Sequence, residues 1–360
     1  MKLQTIDEFQ TSRLWLMPDG FGDDALVDGA PGQCISCDWY GGPGRHNVFA
    51  TEGVFGVVLA IRWAAVEIAP RQFDWSGLDR NVARAAQRAR PVTLLFNYRT
   101  YGRINRSWAP DYVRADHGRY GGTLGHGGEH PGDPTDPWNQ GWCVQFNQPS
   151  VQAAWRGFID AIAERYGNDS RVNGFVIHSE SCWANWARND PAMYRSIGGA
   201  VGEASIALDM ARYARGVLIN SPHKQVWIGL NYTSTDTDRE IPRLARDATI
   251  ADVGIWLPDI AAQPPLTGDT NVATLPLQRD AHLHLGQVAG KRLAGVIESV
   301  ASWGVEPAHH ATPARLTQLL SAVKRLGITD LIYRLSGGVE GAAWQSLVGL
   351  GRPTTEPKLK

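Results

Sequence analysis

The sequence predicts a single-domain (β/α)8 barrel, and three observations support that fold. Short apolar runs rich in β-branched residues alternate with amphipathic helical segments along the chain, as is typical of parallel α/β folds. The clearest run, Val172–Ile177, follows a helical segment that closes near Tyr166, and it leads through polar residues to Glu180. The length of 360 residues suits one domain of this class.

We predict eight strands and treat residues 1–32 as an N-terminal lead-in, so that the barrel domain spans 33–360. The predicted strands are 33–39, 56–63, 91–98, 172–180, 225–232, 252–257, 292–298 and 330–335. The predicted helices are 76–90, 150–166, 197–220, 239–246, 313–326 and 342–350. A loop insertion at about 99–148 follows the third strand, and loops of this length between barrel elements are usually functional.

Composition excludes several classes of partner. The formal net charge is −1, which gives no electrostatic reason to expect nucleic acid or an anionic membrane as partner. No apolar run reaches transmembrane length and the first residues lack the apolar core of a secretory signal, so we expect a soluble protein, either cytoplasmic or exported by a route not visible in the sequence. The 14 Trp suggest stacking surfaces for flat ligands such as sugar rings, and the alternative is that most of them are core residues.

The cysteines and histidines do not predict a metal. Cys34-x-x-Cys37 has no second pair at zinc-finger spacing, and we expect Cys34, Cys37, Cys143 and Cys182 to be free thiols, with a disulfide or a metal as the alternative. A cluster in the insertion matches no established metal site; it comprises His126, Glu129, His130 and Asp133. We therefore predict no metal and no other cofactor.

Two predicted strands deliver a glutamate to the same rim of the barrel. Glu180 ends the fourth strand and Glu298 ends the seventh, and the carboxyl ends of barrel strands carry the chemistry in this fold. Cleavage of a glycosidic bond needs one protonated carboxyl group and one carboxylate, so this pair is suited to it. Asp38 is a further possible substrate contact near the rim, whereas Glu67 suits a scaffold role.

The region around the second strand resembles that of the retaining glycoside hydrolases of clan A, the cellulase, β-galactosidase and xylosidase-like (β/α)8 barrels. The motifs that carry this resemblance are Arg62-Trp63, Val66-Glu67-Ile68-Ala69-Pro70 and Phe73-Asp74-Trp75-Ser76-Gly77-Leu78-Asp79. It covers the barrel scaffold, and the insertion has no counterpart in it.

The resemblance implies a role for each site residue. Glu180 would be the general acid/base and Glu298 the nucleophile, with Arg62 beside Glu298 keeping it ionised. The residues expected to orient or stack on the sugar, or to line the floor of the site, are Tyr232, Trp256, Asn97 and Tyr98. The expected partner is a carbohydrate, an oligo- or polysaccharide.

Two departures from the clan keep other functions open. Ser179 stands where the clan usually has an Asn that holds the sugar 2-hydroxyl, so His178 is a candidate substitute; the eighth strand lacks the usual Trp platform, for which Trp303 is a candidate. The first alternative is a catalytically silent barrel that binds carbohydrate. The second is a metal-assisted hydrolase that uses the His-rich insertion.

Overall fold

Eight parallel strands close into a barrel, in the order in which they occur along the chain. The computed structural model describes residues 13–18, 54–98, 107–125, 142–178, 199–229, 252–257, 293–297 and 328–335. The strands, called here the first to the eighth barrel strand, are Arg13–Pro18, Gly56–Arg62, Val92–Asn97, Val172–His178, Gln225–Gly229, Gly254–Leu257, Leu293–Ile297 and Asp330–Leu335. The predicted (β/α)8 fold class is confirmed.

The first barrel strand is the one strand that the sequence prediction assigned wrongly. We predicted it at 33–39, but Arg13–Pro18, in the supposed lead-in, pairs with both the eighth and the second strand and closes the ring. The run is short and largely apolar, and its sequence ends in Pro-Asp-Gly, a turn signal that could have identified it. Residues 33–39 lie outside the described part of the chain.

The helices flank the barrel, and two short antiparallel strand pairs lie between barrel elements. The described helices are Trp63–Val66, Ser76–Ala86, Asp111–Ala115, His117–Tyr120, Pro149–Tyr166 and Gly199–Val217. The strand pairs are Glu67–Ala69 with Gln72–Phe73 and Thr123–Gly125 with Trp142–Val144. None of these helices has the length and apolar character needed to cross a membrane.

Two of the three predicted helices that lie in the described residues agree with the structure, and the third ends earlier than predicted. The helices predicted at 150–166 and 197–220 are present as Pro149–Tyr166 and Gly199–Val217. The helix predicted to run to Arg90 ends earlier, at Ala86, and Ala89 has a φ of 53°, which a right-handed helix cannot accommodate. The helices predicted at 239–246, 313–326 and 342–350 lie outside the described residues.

The barrel interior and the layer under the helices form two separate hydrophobic clusters. Alternate side chains of a strand point to opposite faces, so six of the eight barrel strands, the second to the sixth and the eighth, contribute described residues to both clusters. The interior cluster contains Trp15, Val58, Ala60, Leu95, Trp108, Val176, Trp227, Trp256 and Ile332. The outer cluster contains the buried faces of the flanking helices, including Leu78, Val82, Trp155 and Phe158.

Tryptophan therefore serves mainly as core in the described part of the chain. Six of its Trp side chains are at most 6% exposed: Trp15, Trp63, Trp108, Trp155, Trp227 and Trp256. Three of the six belong to barrel strands and fill the interior, where Trp227 and Trp256 meet edge to face at 6.4 Å between ring centroids.

Buried polar groups fix the end of the barrel at which the strands begin. Asp330 is 2% exposed; it accepts a hydrogen bond from Trp15 Nε1 at 2.8 Å and pairs with Arg13 at 2.6 Å, which joins the first strand to the eighth. Lys224, before the fifth strand, donates to the backbone carbonyls of Asp169 and Val172. Burial lowers the pKa of the Lys224 ammonium group.

The expectation of free thiols is wrong for Cys143. This residue lies in the strand Trp142–Val144, is fully buried, and is disulfide-bonded. The other three cysteines, Cys34, Cys37 and Cys182, lie outside the described residues. Disulfides are typical of proteins that work in oxidising compartments.

Gly174 and Gly216 form a matched pair for testing how the interior is packed. A Cβ at Gly174, in the fourth strand, would lie 2.3 Å from the Gln225 carbonyl oxygen and 2.8 Å from the Trp227 ring, whereas a Cβ at Gly216 meets nothing within 4 Å. We expect Gly174→Ala to lower the free energy of unfolding by about 1–3 kcal/mol because the interior is overpacked. Gly216→Ala should raise it by up to about 1 kcal/mol because helix propensity improves. Urea denaturation of both variants measures this, and equal effects would contradict the packing described for Trp227.

The disulfide predicts the number of reactive thiols. If Cys143 is bonded to another cysteine of the chain, no more than two of the four cysteines remain free. We expect the denatured, unreduced chain to gain at most two iodoacetamide adducts in intact-mass spectrometry, and four after reduction. Four adducts without reduction would contradict the disulfide.

Candidate active site

The candidate site lies at the rim where the parallel strands end. The second strand ends at Arg62 and the third at Asn97, and these two residues are register partners in the sheet. Each lies two residues after a residue of the interior cluster, Arg62 after Ala60 and Asn97 after Leu95. Because residues two apart in a strand share a face, both face the inside of the barrel. Asn97 is 3% exposed and Arg62 is partly exposed. The structure thus brings together a guanidinium and an amide at the barrel mouth.

Tyr98 is placed differently from Asn97. It lies on the same face of the chain as Leu94 and Phe96 and packs in the outer cluster. Its ring centroid is 4.4 Å from that of Phe146 and 5.3 Å from that of Trp155. The period of two in a strand separates it from Asn97, although the residues are adjacent in sequence. This burial gives Tyr98 a packing role under the helix Pro149–Tyr166.

Trp256 lies in the sixth strand, one residue before its end, and is 3% exposed. Its side chain belongs to the interior cluster and contacts Trp227. The two indole rings therefore form an apolar layer inside the barrel.

Most of the other predicted site residues lie outside the described part of the chain. His178 ends the fourth strand, and the structure describes its backbone. The residues not described are Glu180, Glu298, Asp38, Ser179, Tyr232 and Trp303, as well as the insertion cluster His126, Glu129, His130 and Asp133. Among the described residues no group of His, Cys, Asp or Glu has the arrangement of a metal site.

Trp108 is a rim residue that the sequence analysis did not single out. It lies ten residues beyond Tyr98, yet its indole ring joins the interior cluster, and the Arg62 guanidinium carbon lies 5.0 Å from the ring centroid. A cation over an indole face is a stabilising arrangement. The signal in the sequence was one more Trp in an aromatic-rich loop, and spacing alone does not distinguish it from its neighbours.

The segment that carries Trp108 is fixed by hydrogen bonds to both neighbouring strand ends. The Trp108 amide donates to the Tyr98 carbonyl at 3.0 Å, and the Ala64 amide donates to the Trp108 carbonyl at 2.8 Å. Ser107 and Ala109 on either side are buried. Trp108 thus bridges the chain after the second strand and the chain after the third.

Glu67 connects the chain after the second strand to the chain that follows Trp108. Its carboxylate is 2% exposed and accepts hydrogen bonds from Trp63 Nε1 at 2.6 Å, from the Tyr112 hydroxyl at 2.9 Å and from the Arg71 amide at 3.0 Å. Burial, with the Glu67 charge as the next largest cause, raises the pKa of Tyr112, so this hydroxyl keeps its proton and remains a donor. The arrangement agrees with the scaffold role expected for Glu67.

The fold is shared with known glycosidases. The structure superposes on the catalytic domain of a β-amylase from Paenibacillus polymyxa with a TM-score of 0.51 and 10% identity, covering 95% of this chain and 99% of the other. For a family 10 endo-β-1,4-xylanase from Gloeophyllum trabeum the TM-score is 0.50, with 12% identity and coverage of 97% and 99%. For a psychrophilic family 10 endo-β-1,4-xylanase the TM-score is 0.51 and the identity 13%, and the superposition covers 96% of this chain and 99% of the other.

The sequence matches no protein-family model and no curated protein. At identities this low the structural likeness establishes the fold. The resemblance to the (β/α)8 glycoside hydrolases that the second-strand motifs predicted is confirmed at that level, over nearly the whole chain.

Removing the charge of Glu67 tests how firmly the rim segment is anchored. We expect Glu67→Gln to lower the free energy of unfolding by about 1–3 kcal/mol, because a buried acceptor of three hydrogen bonds is replaced by a group that also carries donors. The matched control is Glu164→Gln, at an exposed position of the helix Pro149–Tyr166, which should change stability by less than about 0.5 kcal/mol. Equal effects in chemical denaturation would contradict the anchoring role.

Proposed function

We propose that this protein is a retaining glycoside hydrolase that acts on an oligo- or polysaccharide, with Glu180 and Glu298 as its catalytic pair. One observation carries the proposal: the fourth and seventh strands, which end at His178 and Ile297, belong to the same closed parallel barrel. Glu180 follows the first of these ends by two residues and Glu298 follows the second by one. Residues that follow the carboxyl ends of barrel strands form the active site in this fold.

The neighbourhood of the two strand ends supports this chemistry. Arg62 supplies a fixed positive charge at the rim, and a cation close to a carboxylate favours its ionised form, as a nucleophile requires. Asn97 supplies an amide at the next strand end, a group that can hydrogen-bond to a sugar hydroxyl. The described part of the rim thus carries a positive charge and an amide, which supports the roles proposed for Arg62 and Asn97.

The proposed reaction proceeds in two displacements. In the first, Glu298 attacks the anomeric carbon while the protonated Glu180 donates its proton to the leaving oxygen, and the glycosidic C–O bond breaks. In the second, Glu180 takes a proton from water, the water oxygen bonds to the anomeric carbon, and Glu298 is released as a carboxylate. The two inversions leave the anomeric configuration unchanged.

The surroundings of the pair have roles in this proposal that follow from the clan resemblance. His178 or Ser179 would hold the sugar hydroxyl that an Asn usually holds at this place. Tyr232, Trp303 and Asp38 would contact the substrate, and Trp256 would support the floor from within the barrel.

Paired substitutions test the proposal. On a panel of p-nitrophenyl glycosides and soluble polysaccharides, we expect Glu180→Gln to lower kcat by about 10²–10⁴-fold because general acid–base catalysis is lost. Glu298→Gln should abolish turnover, and Glu164→Gln should match the wild type. The first product, observed by NMR, should keep the anomeric configuration of the substrate.

Three outcomes would overturn the proposal in different ways. A product of opposite configuration would exclude the double displacement. Activity lost on exhaustive chelation and restored by a metal would favour a metal-assisted hydrolase. Carbohydrate binding without turnover, unaltered by Glu298→Gln, would favour the silent binding barrel, for which Ser179 is the favouring feature.

A further inference from the structure

We propose that Trp108 is a positioning residue that holds the Arg62 guanidinium at the barrel mouth by stacking against it. This inference rests on the proposed function, since it assigns Arg62 to the catalytic site, and it adds a residue that lies outside the strand-end motifs. It is carried by three features of the described rim: the stacking distance, the burial of the Trp108 ring and of the Arg62 Nε atom, and the backbone hydrogen bonds of Trp108.

The stacking geometry limits where the guanidinium can lie. The Arg62 guanidinium carbon is 5.0 Å from the centroid of the Trp108 ring, well within the range of a cation–π contact. The indole is 6% exposed and the Arg62 Nε atom is buried, so water does not separate the two groups. A partly desolvated contact of this kind is stronger than an exposed one.

Trp108 is itself held more firmly than a loop residue usually is. Its amide and carbonyl groups bond to Tyr98 and Ala64, which extends the chain connection beyond the ends of the third and second strands. Its ring packs among interior residues such as Ala60 and Leu95. A ring with so little freedom provides a rigid flat surface against which the planar guanidinium of Arg62 stacks.

In the proposed mechanism, placement of this cation affects catalysis through the carboxylate of the nucleophile, Glu298. An arginine lowers the pKa of a neighbouring carboxylate only while it stays close to it, because the interaction weakens with distance. Loss of the stacking removes one of the contacts that orient Arg62, and we expect the pKa of the carboxylate that it stabilises to rise as a result. Trp108 therefore sets the lower pH limit of the activity without touching the substrate.

The experiment compares the wild type with Trp108→Leu, which keeps an apolar but smaller side chain and removes the π face, and with Trp108→Phe, which keeps an aromatic face. The control is Trp75→Leu: Trp75 stacks on Phe73 at 5.5 Å in the outer layer, so its loss weakens packing away from the rim. The first readout is the NMR signal of the Arg62 Nε–H group, assigned with Arg62→Lys. The second is the pH profile of kcat/KM on a p-nitrophenyl glycoside.

We expect Trp108→Leu to move the Arg62 signal away from its ring-current-shifted position and to speed its exchange with water. It should lower kcat/KM by about tenfold, as loss of a desolvated cation–π contact can do, and move the acidic limb of the profile to higher pH. Trp108→Phe should retain most of the wild-type behaviour, both in the Arg62 Nε–H signal and in the pH profile of kcat/KM. Trp75→Leu should leave the Arg62 signal and the acidic limb unchanged even if it lowers stability.

The two levels of the proposal fail in distinguishable ways. Unchanged exchange of the Arg62 Nε–H with water in Trp108→Leu would overturn the positioning role, whatever the activity; so would an active variant whose acidic limb does not move. If the wild type shows no turnover on any glycoside but this exchange speeds in Trp108→Leu, the positioning role stands and the proposed enzymatic function fails.

Discussion

Closure of the parallel barrel is the constraint on which the rest of the structure depends. Eight strands that all run the same way place every carboxyl end on one rim, and closure removes the exposed sheet edges. The ring can close only if its interior is filled. Here Trp15, Trp227 and Trp256 fill it, with Gly56 and Gly174 providing the space that Trp15 and Trp227 occupy. The floor of the candidate site is therefore a consequence of how the barrel is packed.

The rim is built outward from that floor. Arg62 and Asn97 stand at adjacent strand ends, and the chain that follows the third strand returns to them through Trp108. Glu67, buried among three donors, ties the same chain to the short segment after the second strand through Tyr112. Two successive loops are thus joined beside the residues that carry the charge and the amide of the site.

Local patterns in the sequence predicted the strands, the long helices and the rim because these depend on short-range periodicity. The third strand shows both the power and the limit of this reasoning: the prediction located Val92–Asn97, but it placed Asn97 and Tyr98 together, whereas the strand period directs them to opposite faces. The first strand was missed because its six residues precede a long stretch that offered another apolar run at 33–39. The contact of Arg62 with Trp108 and the disulfide at Cys143 depend on which distant segments meet, and spacing carries no information about that.

The proposed mechanism depends most directly on the two glutamates. Glu180 and Glu298 follow strands that are three places apart around one ring, and the proposed double displacement requires their carboxyl groups to face each other across the bond that breaks. The decisive measurement is the distance between these carboxyl groups in a crystal structure of the protein. A double displacement requires about 5 Å between a nucleophile and an acid/base, and we expect that distance here. A separation of about 6.5–9.5 Å, which leaves room for a water molecule, or a side chain turned away from the barrel mouth, would contradict the proposed mechanism.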